Sequence, residues 1–346
     1  MTAPAARNRL VVRQEDPFNA ETPLEPDSPA ITPVADFYVR SHFPLPEPAV
    51  RIGIGGAVHH PFDLTVDDLL SLPTLTLVAT MECAGNGRAF LSPPIGGVPW
   101  GLGAVATASW TGVPLTKLLD QASVRSEAIE IVFSGRDYGI PSRSDRSCSY
   151  ERSLSVGDPI LAECLVAHTI NGDPLTPDHG GPVRLIVPGW YGMASVKWLD
   201  RIAAVTEPFD GFYQVDDYVM RGKDRSLPCR EMAVRALIIN PRVESVLPLG
   251  EPVVVSGYAW SGMGAIGRVE VSTDDGQTWS DATVDSGPPN VWRSWRTEWV
   301  PDAVGRHSIL ARASDASGNV QPLEQVWNEG GYGNNRAVPT VVMVRR

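Results

Sequence analysis

Apolar and polar residues follow different rhythms in the two halves of the chain. TVDDLLSLP at 65–73 opens with Thr65 three residues before Asp68, the spacing of a capping box, and Pro73 closes a short predicted helix. TGVPLTKLLDQA at 111–122 places Leu115, Leu118, Leu119 and Ala122 on one helical face. LTLVATMEC at 75–83 alternates with period two instead. Leu75, Leu77, Ala79, Met81 and Cys83 share a strand face, which aims the Cys83 sulfur inward. After about Arg225 the helical pattern disappears. PVVVSGYAW (252–260), GRVEVSTDDGQTW (267–279), WRSWRTEWV (292–300), RHSILARASDASGN (306–319) and PTVVMV (339–344) read as successive antiparallel strands, with turns at DDG 274–276 and ASGN 316–319. Five or more strands in ~120 residues predict an immunoglobulin-like β-sandwich.

The expected fold class is therefore α+β. A mixed α/β domain at 36–225 precedes the β-sandwich at 226–346, and residues 1–35, rich in Pro and acid without a period, form an extended arm over the first domain. The chain's 346 residues exceed what one core usually encloses, and 32 Gly with 31 Pro favour turn-rich β structure. A net charge of −11 repels phosphate backbones and anionic lipids, so neither nucleic acid nor membrane is an expected partner. An anionic substrate would need a local reversal of that field. No apolar run reaches the ~20 residues of a membrane span. The first residues lack the apolar core of a secretory signal and a twin-arginine pair, so a cytoplasmic location is expected, with processed export as the alternative.

Chemistry concentrates around one cysteine. Cys83, Cys148, Cys164 and Cys229 show no C-x-x-C spacing, which leaves a zinc ribbon, a thioredoxin-like site and covalent haem unsupported. In MECAGNGR at 81–88, a cysteine at a strand end is followed by a glycine-rich turn that lets backbone and ligand approach closely. A thiolate there suits a soft metal, but the same spacing also describes a buried core thiol.

MECAGNGR resembles the cysteine-ligand motif of the sulfite oxidase family of molybdopterin enzymes, which includes the assimilatory nitrate reductases. Further segments are similar in the same order: FYVRSHFPLP at 37–46, PDHGGPVRLIVPGWYGMASVKWL at 177–199, FYQVDDYVM at 212–220, and GYAWSGMG at 257–264 with RVEVSTDDGQTW at 268–279, the last pair resembling the family's dimerisation domain. Several long motifs in order are far more specific than one short one. The resemblance implies a molybdenum–molybdopterin cofactor with Cys83 as the protein's metal ligand. It implies that Arg40, His42, Asp137, His179, Arg184, Ser195 and Lys197 hold the pterin and its phosphate, a task that suits Lys and Arg. It also implies that Arg40, Arg88, Trp100 and Tyr218 surround a bound oxyanion.

Three departures bear on substrate. WSGMGA puts Ala265 where the family carries an arginine that reaches substrate in the animal enzymes. MASVKWL puts Ala194 where an arginine often assists the cofactor, and FLSPPIGGVP at 90–99 lacks a lysine that the family often carries. The resemblance implies two-electron oxidation of sulfite to sulfate in a homodimer. With no haem motif and no dinucleotide fingerprint, the electrons are expected to pass to an external acceptor such as a cytochrome. A reductase acting on another oxyanion or sulfur compound, of nitrate or S-oxide type, keeps the cofactor and changes the direction. A non-enzymatic binding or adhesion protein is the alternative read from the β-rich half alone.

Overall fold

In a computed structural model of the chain, residues 9–222 and 226–346 are described. The first eight residues of the expected arm and the boundary expected at Arg225 lie outside them. The capping box forms as its spacing requires. Asp68 N donates to Thr65 Oγ1 (3.1 Å) and Thr65 N donates to Asp68 Oδ2 (2.9 Å), opening the helix Val66–Ser71. The helix Leu115–Ala122 buries Leu115, Leu118 and Ala122, with Leu119 half-buried. It begins four residues later than the pattern at 111 suggested, because TGVP completes the strand Val105–Pro114.

Two five-stranded sheets form the first half. One runs in the order Phe62–Thr65, Arg51–Gly56, Leu199–Val205, Glu130–Gly139, Cys148–Ser155, with Leu199–Val205 parallel to Arg51–Gly56. The other is antiparallel: Leu75–Glu82 pairs with Val105–Pro114, which pairs with Leu165–Ile170, and that strand also carries Arg184–Ile186 and Asp173–Pro174. Leu118, Ile131, Phe133 and Ile202 centre one apolar core. Phe37, Trp100 and Trp110 centre a second, which includes Cys83.

The second half is the immunoglobulin-like sandwich. A sheet of Arg235–Asn240, Val253–Trp260, Arg293–Trp299 and Thr283–Val284 faces one of Val246–Pro248, Thr340–Arg345, Gly305–Asp315, Ile266–Ser272 and Ser280–Asp281. Val255, Trp295, Ile309 and Val342 fill the space between them. The DDG turn places Asp275 and Gly276 at φ 61° and 86°, left-handed conformations that Asp and Gly tolerate best. Arg235–Asn240 and Val246–Pro248 were not expected; they are short and separated by Pro241, so neither builds a visible alternation.

Two expectations need correction. The described arm is not simply extended: Val11–Gln14 and Asn19–Glu21 pair as a short hairpin. Nor does it lie on the first half alone. Thr32 N donates to Thr107 O (2.8 Å), but Ala30 O accepts from Trp292 Nε1 (2.7 Å), Ser28 O accepts from Tyr258 OH (2.7 Å), and Glu25 pairs with Arg242. The strand Leu75–Glu82 also departs from its pattern. Leu75 is 49% exposed, and the inward face takes hold only at Ala79 and Met81. On the opposite face, where alternation predicts solvent, Thr80 and Glu82 are buried. They meet the sandwich: Thr80 Oγ1 accepts from Trp292 N (2.7 Å), Glu82 Oε2 accepts from Trp260 Nε1 (2.9 Å), and Glu82 pairs with Arg235 at 3.5 Å.

Removing one partner of a buried ion pair leaves the other charge without solvent or counter-ion. Arg235→Ala should therefore cost about 3–5 kcal/mol in urea unfolding, whereas Arg242→Ala, from a solvent-accessible pair, should cost far less. Equal costs for the two variants would show that Glu82–Arg235 is not the joint between the halves.

Candidate active site

Cys83 stands where the strand Leu75–Glu82 ends and a tight turn begins. Cys83 N donates to Ala104 O (2.9 Å) and Asn86 N donates back to Cys83 O (2.9 Å), after which Gly87 takes φ 83° and Arg88 enters a 3-10 turn, Arg88–Phe90. The glycine at 85 serves a neighbour rather than a ligand. A Cβ on Gly85 would lie 2.7 Å from Arg88 Nη2, and one on Gly331 would lie 3.0 Å from Arg88 Nε. Both positions are left small so that a buried guanidinium can fit.

Two cavities meet at this cysteine, and Arg40, His42, Cys83 and Tyr218 line both. The first is walled by Asp137, His179, Arg184, Ser195 and Lys197. The second is walled by Arg88, Trp100, Asp217 and Tyr332. The structure thus brings every residue assigned from the sequence to cofactor, metal or oxyanion to one or both of these cavities.

The first cavity is cationic and sparsely paired. Arg184 donates from Nη1 to His179 O and from Nη2 to Ser195 O, both 2.9 Å, and lies over Trp110. Its Nε has no hydrogen-bond partner among the described residues. Burial lowers the Arg184 pKa to about 10, still far above neutrality. Ser195 Oγ accepts from Val187 N (3.0 Å). Lys197 Nζ donates to Asp178 O (3.0 Å) and Ser41 Oγ (3.2 Å). Asp137 shares the inward face of Glu130–Gly139 with Ile131 and Phe133, and its Oδ1 finds no partner among the described residues. Burial pushes the Asp137 carboxyl up, against the pull of Lys197; burial and Arg184 push the Lys197 ammonium down, against the pull of Asp137. Burial, then Lys197, lowers His179 to about 4, so its imidazole is neutral at neutral pH.

In the second cavity Arg88 has no carboxylate partner among the described residues. Arg88 donates from Nη1 to Val98 O and from Nη2 to Gly330 O, both 3.1 Å, and its guanidinium lies 5.2 Å over the Tyr332 ring. Tyr218 takes φ 53°, a left-handed backbone that costs an aromatic residue free energy and is held in place by its surroundings. Its carbonyl accepts from Cys229 N (2.8 Å), its ring stacks on Tyr332 at 5.1 Å, and its hydroxyl lies 2.9 Å from His42 Nε2. Burial raises the Tyr218 pKa, so the phenol keeps its proton. Burial, then Arg40 and Lys197, lowers that of His42.

Ala265 is exposed on a sandwich turn and lines neither cavity. Ala194 is buried in the turn Gly192–Ala194, between Met193 and Ser195 of the first cavity's wall. Sequence reasoning missed Tyr332 and Asp217, whose hydroxyl and carboxylate hydrogen-bond at the second cavity, and Tyr150, which donates to Met193 O (2.7 Å) and stacks on His42. The only signal for Tyr332 is a glycine-rich stretch, NEGGYGNN at 328–335, which a sandwich reading absorbs as a loop. That loop returns to the cysteine turn: Gly333 N donates to Ala84 O and Asn334 Nδ2 to Gly87 O, both 2.8 Å.

Comparison with known proteins identifies the architecture. Residues 42–213 match the oxidoreductase molybdopterin binding domain and residues 227–342 the Mo-co oxidoreductase dimerisation domain. The chain is 35% identical to sulfite oxidase of Gallus gallus, over 92% of this chain and 74% of that protein. It is 33% identical to mitochondrial sulfite oxidase of Rattus norvegicus, covering 96% of this chain and 65% of the relative. To NADH nitrate reductase of Solanum lycopersicum it is 34% identical, over 95% of this chain and 40% of the relative. The chain thus spans less than two thirds of the rat and tomato proteins. Among solved structures, the sulfane dehydrogenase SoxCD of Paracoccus pantotrophus aligns with a TM-score of 0.80 at 26% identity, covering all of this chain and 88% of its own. These matches set aside the binding-module reading of the β-rich half. The chain belongs to the sulfite oxidase family of molybdenum–molybdopterin oxidoreductases.

Proposed function

We propose that the chain oxidises sulfite to sulfate and passes the electrons to an external acceptor such as a cytochrome. The carrying observation is the position of Cys83, where a cationic cavity able to hold a phosphorylated pterin meets a second cavity able to hold an oxyanion.

The residues present fit the cofactor. Two unpartnered polar atoms, Arg184 Nε and Asp137 Oδ1, are buried at the first cavity, an expensive arrangement unless a bound group completes their hydrogen bonds. Arg184 and Lys197 suit a phosphate, while His179, Asp137 and Ser195 offer donors and acceptors to a pterin edge. Cys83 would ligate the metal. Among the described residues no group of three or more His, Cys, Asp or Glu is placed to hold one, so the other ligands would come from the cofactor or solvent. Burial raises the Cys83 pKa, against the pull of Arg40; a bound cation would favour the thiolate.

When bound, the cofactor supplies the two-electron redox step, in which sulfite and water become sulfate, two electrons and two protons. This chain's own residues bind and orient the anion. Sulfite is doubly charged and strongly hydrated, so fixed cationic donors must replace its water. Arg88, buried and without a carboxylate partner among the described residues, meets that demand together with Arg40. With His42 in the tautomer that donates from Nε2 to the Tyr218 oxygen, the phenol O–H is left free to donate to substrate. Trp100 closes the wall and excludes solvent. The similarity to nitrate reductase supports a second reading, reduction of nitrate in the same cavity; assays with sulfite and an oxidised dye, against nitrate and a reduced dye, separate the two.

Cys83→Ser exchanges a soft, electron-donating ligand for a harder one. Turnover should fall by orders of magnitude and the visible absorption should change, while molybdenum content stays substantial because the pterin contacts remain. Ser at Cys148, Cys164 or Cys229 should alter stability at most. Wild-type turnover and spectrum in Cys83→Ser would remove the metal assignment.

Gly85→Ala should displace the Arg88 guanidinium, and Arg88→Gln should remove it. Each should raise KM for sulfite and weaken sulfate inhibition roughly tenfold, with molybdenum content unchanged. Gly157→Ala, which meets open space, is the control. Unaltered kinetics in both variants would move the anion site elsewhere. The match to a dimerisation domain at 227–342 further supports a twofold homodimer joined through the sandwich. Light scattering at micromolar concentration should give twice the chain mass, and a monomer mass would count against it.

A further inference from the structure

The hairpin that delivers Asp137 to the first cavity continues past it. Its strands, Glu130–Gly139 and Cys148–Ser155, end in a tip at 140–147, and Ile140, Pro141, Ser142 and Arg143 of that tip line the second cavity. The tip has internal order. Ser144 N donates to Pro141 O (3.0 Å), Arg146 N donates to Ser144 Oγ (3.0 Å), and the hydroxyls of Tyr138 and Ser147 bond across the hairpin at 2.5 Å. Arg143 therefore projects from a structured turn.

Three arginines line this cavity, and they differ in how far their donors are committed. Arg88 is buried and has given two nitrogens to Val98 O and Gly330 O. Arg40 is half-buried and gives Nη1 to Asn19 Oδ1 and Ser41 O. Arg143 is exposed, with no hydrogen bond, ion pair or ring contact among the described residues. The one carboxylate in the lining among the described residues, Asp217, already accepts from the Tyr332 hydroxyl. The cavity thus carries three cationic side chains against one anion, on a chain of net charge −11.

We propose that Arg143 is the capture residue of the oxyanion cavity: it meets the incoming anion at the mouth, before Arg40 and Arg88 hold it beside Cys83, and favours doubly over singly charged oxyanions. The inference rests on the anion-binding reading of this cavity and adds to it a residue and a charge preference. An exposed cation acts through the screened field, which scales with the charge of the ligand and collapses as salt rises. It assists arrival and initial binding more than the reaction itself, so its loss should appear in kcat/KM and leave kcat nearly alone.

The test uses the molybdenum-loaded protein and the variants Arg143→Gln, Arg143→Lys and Arg146→Gln, with Arg146 on the same tip but outside the cavity lining. At low ionic strength Arg143→Gln should lower kcat/KM for sulfite by about threefold to tenfold, with kcat retained. The deficit should vanish near ~1 M salt, where screening acts within about 3 Å. Arg143→Lys should restore most of the rate, and Arg146→Gln should match wild type. In parallel, calorimetry with sulfate and with nitrate should show a larger loss for the divalent anion in Arg143→Gln. If wild type turns over sulfite and Arg143→Gln equals it at low salt, the capture role is overturned and the sulfite reading stands. A wild type that does not oxidise sulfite, but binds sulfate more tightly than Arg143→Gln does, overturns the reading and supports the capture role. Equal losses in Arg143→Gln and Arg146→Gln would mean a diffuse surface effect and would also overturn the proposal.

Discussion

Glu82 is almost wholly buried, one residue before Cys83, and each of its oxygens is engaged by a different part of the chain. Oε1 accepts from Asn86 Nδ2 (2.9 Å) inside the cysteine turn and lies 3.5 Å from Arg235 Nε at the start of the sandwich; Oε2 accepts from Trp260 Nε1 (2.9 Å). Arg235 in turn donates to Asn334 O, in the loop that runs back to the site. A buried carboxylate is tolerable only with such partners, and the partners are tolerable only with the carboxylate. That mutual dependence fixes the angle of the cysteine turn against the second half. Two residues of the strand face different ways from the same point: Cys83 toward the cavities, Glu82 toward the sandwich. The sandwich is therefore not an appendage of the catalytic half but the rear wall of its central turn.

The same logic of unpaired charge shapes the two cavities. Arg88, Arg184 and Lys197 sit at sites where a structural ion pair would have supplied a carboxylate, and mostly they hold carbonyl oxygens instead. Carbonyl partners orient a guanidinium without neutralising it. The field that remains is available to an anionic ligand, at a standing cost in desolvation met by the apolar cores on either side. Glycines at 85 and 331 belong to the same arrangement, since they exist to admit the Arg88 side chain.

What the sequence revealed, and what it concealed, follows from the range of each interaction. The capping box at Thr65 and the apolar face of Leu115–Ala122 are local, and both were legible in a window of a dozen residues. The sandwich strands were legible because alternation and turn chemistry repeat within one hairpin. The residues around Cys83 were named from resemblance to a family; no periodicity joins Arg40 to Lys197. The burial of Glu82 and Thr80 was not legible, because alternation tells sides apart but not what covers them. Tyr332 was invisible for a related reason: its part depends on a contact with Tyr218, more than a hundred positions away. Ala265, noted from the motif alone, stands exposed on a turn and lines neither cavity.

One hairpin serves both cavities. Between Ser134 and Tyr138 the pairing of Glu130–Gly139 with Cys148–Ser155 slips out of register. In a regular strand Ser134, Arg136 and Tyr138 would share one face, and Gly135 and Asp137 the other. Asp137 keeps to that inward face and lines the first cavity, where Gly135 keeps clear the space that its carboxylate occupies: a Cβ there would meet Asp137 Oδ1 at 2.6 Å. Beyond the slip the strands pair again and carry Pro141 to Arg143 to the lining of the second cavity. A bulge bends a strand and increases its twist. The hairpin places a carboxylate in the first cavity and a cation in the second, so the two cavities share a backbone element as well as the cysteine between them.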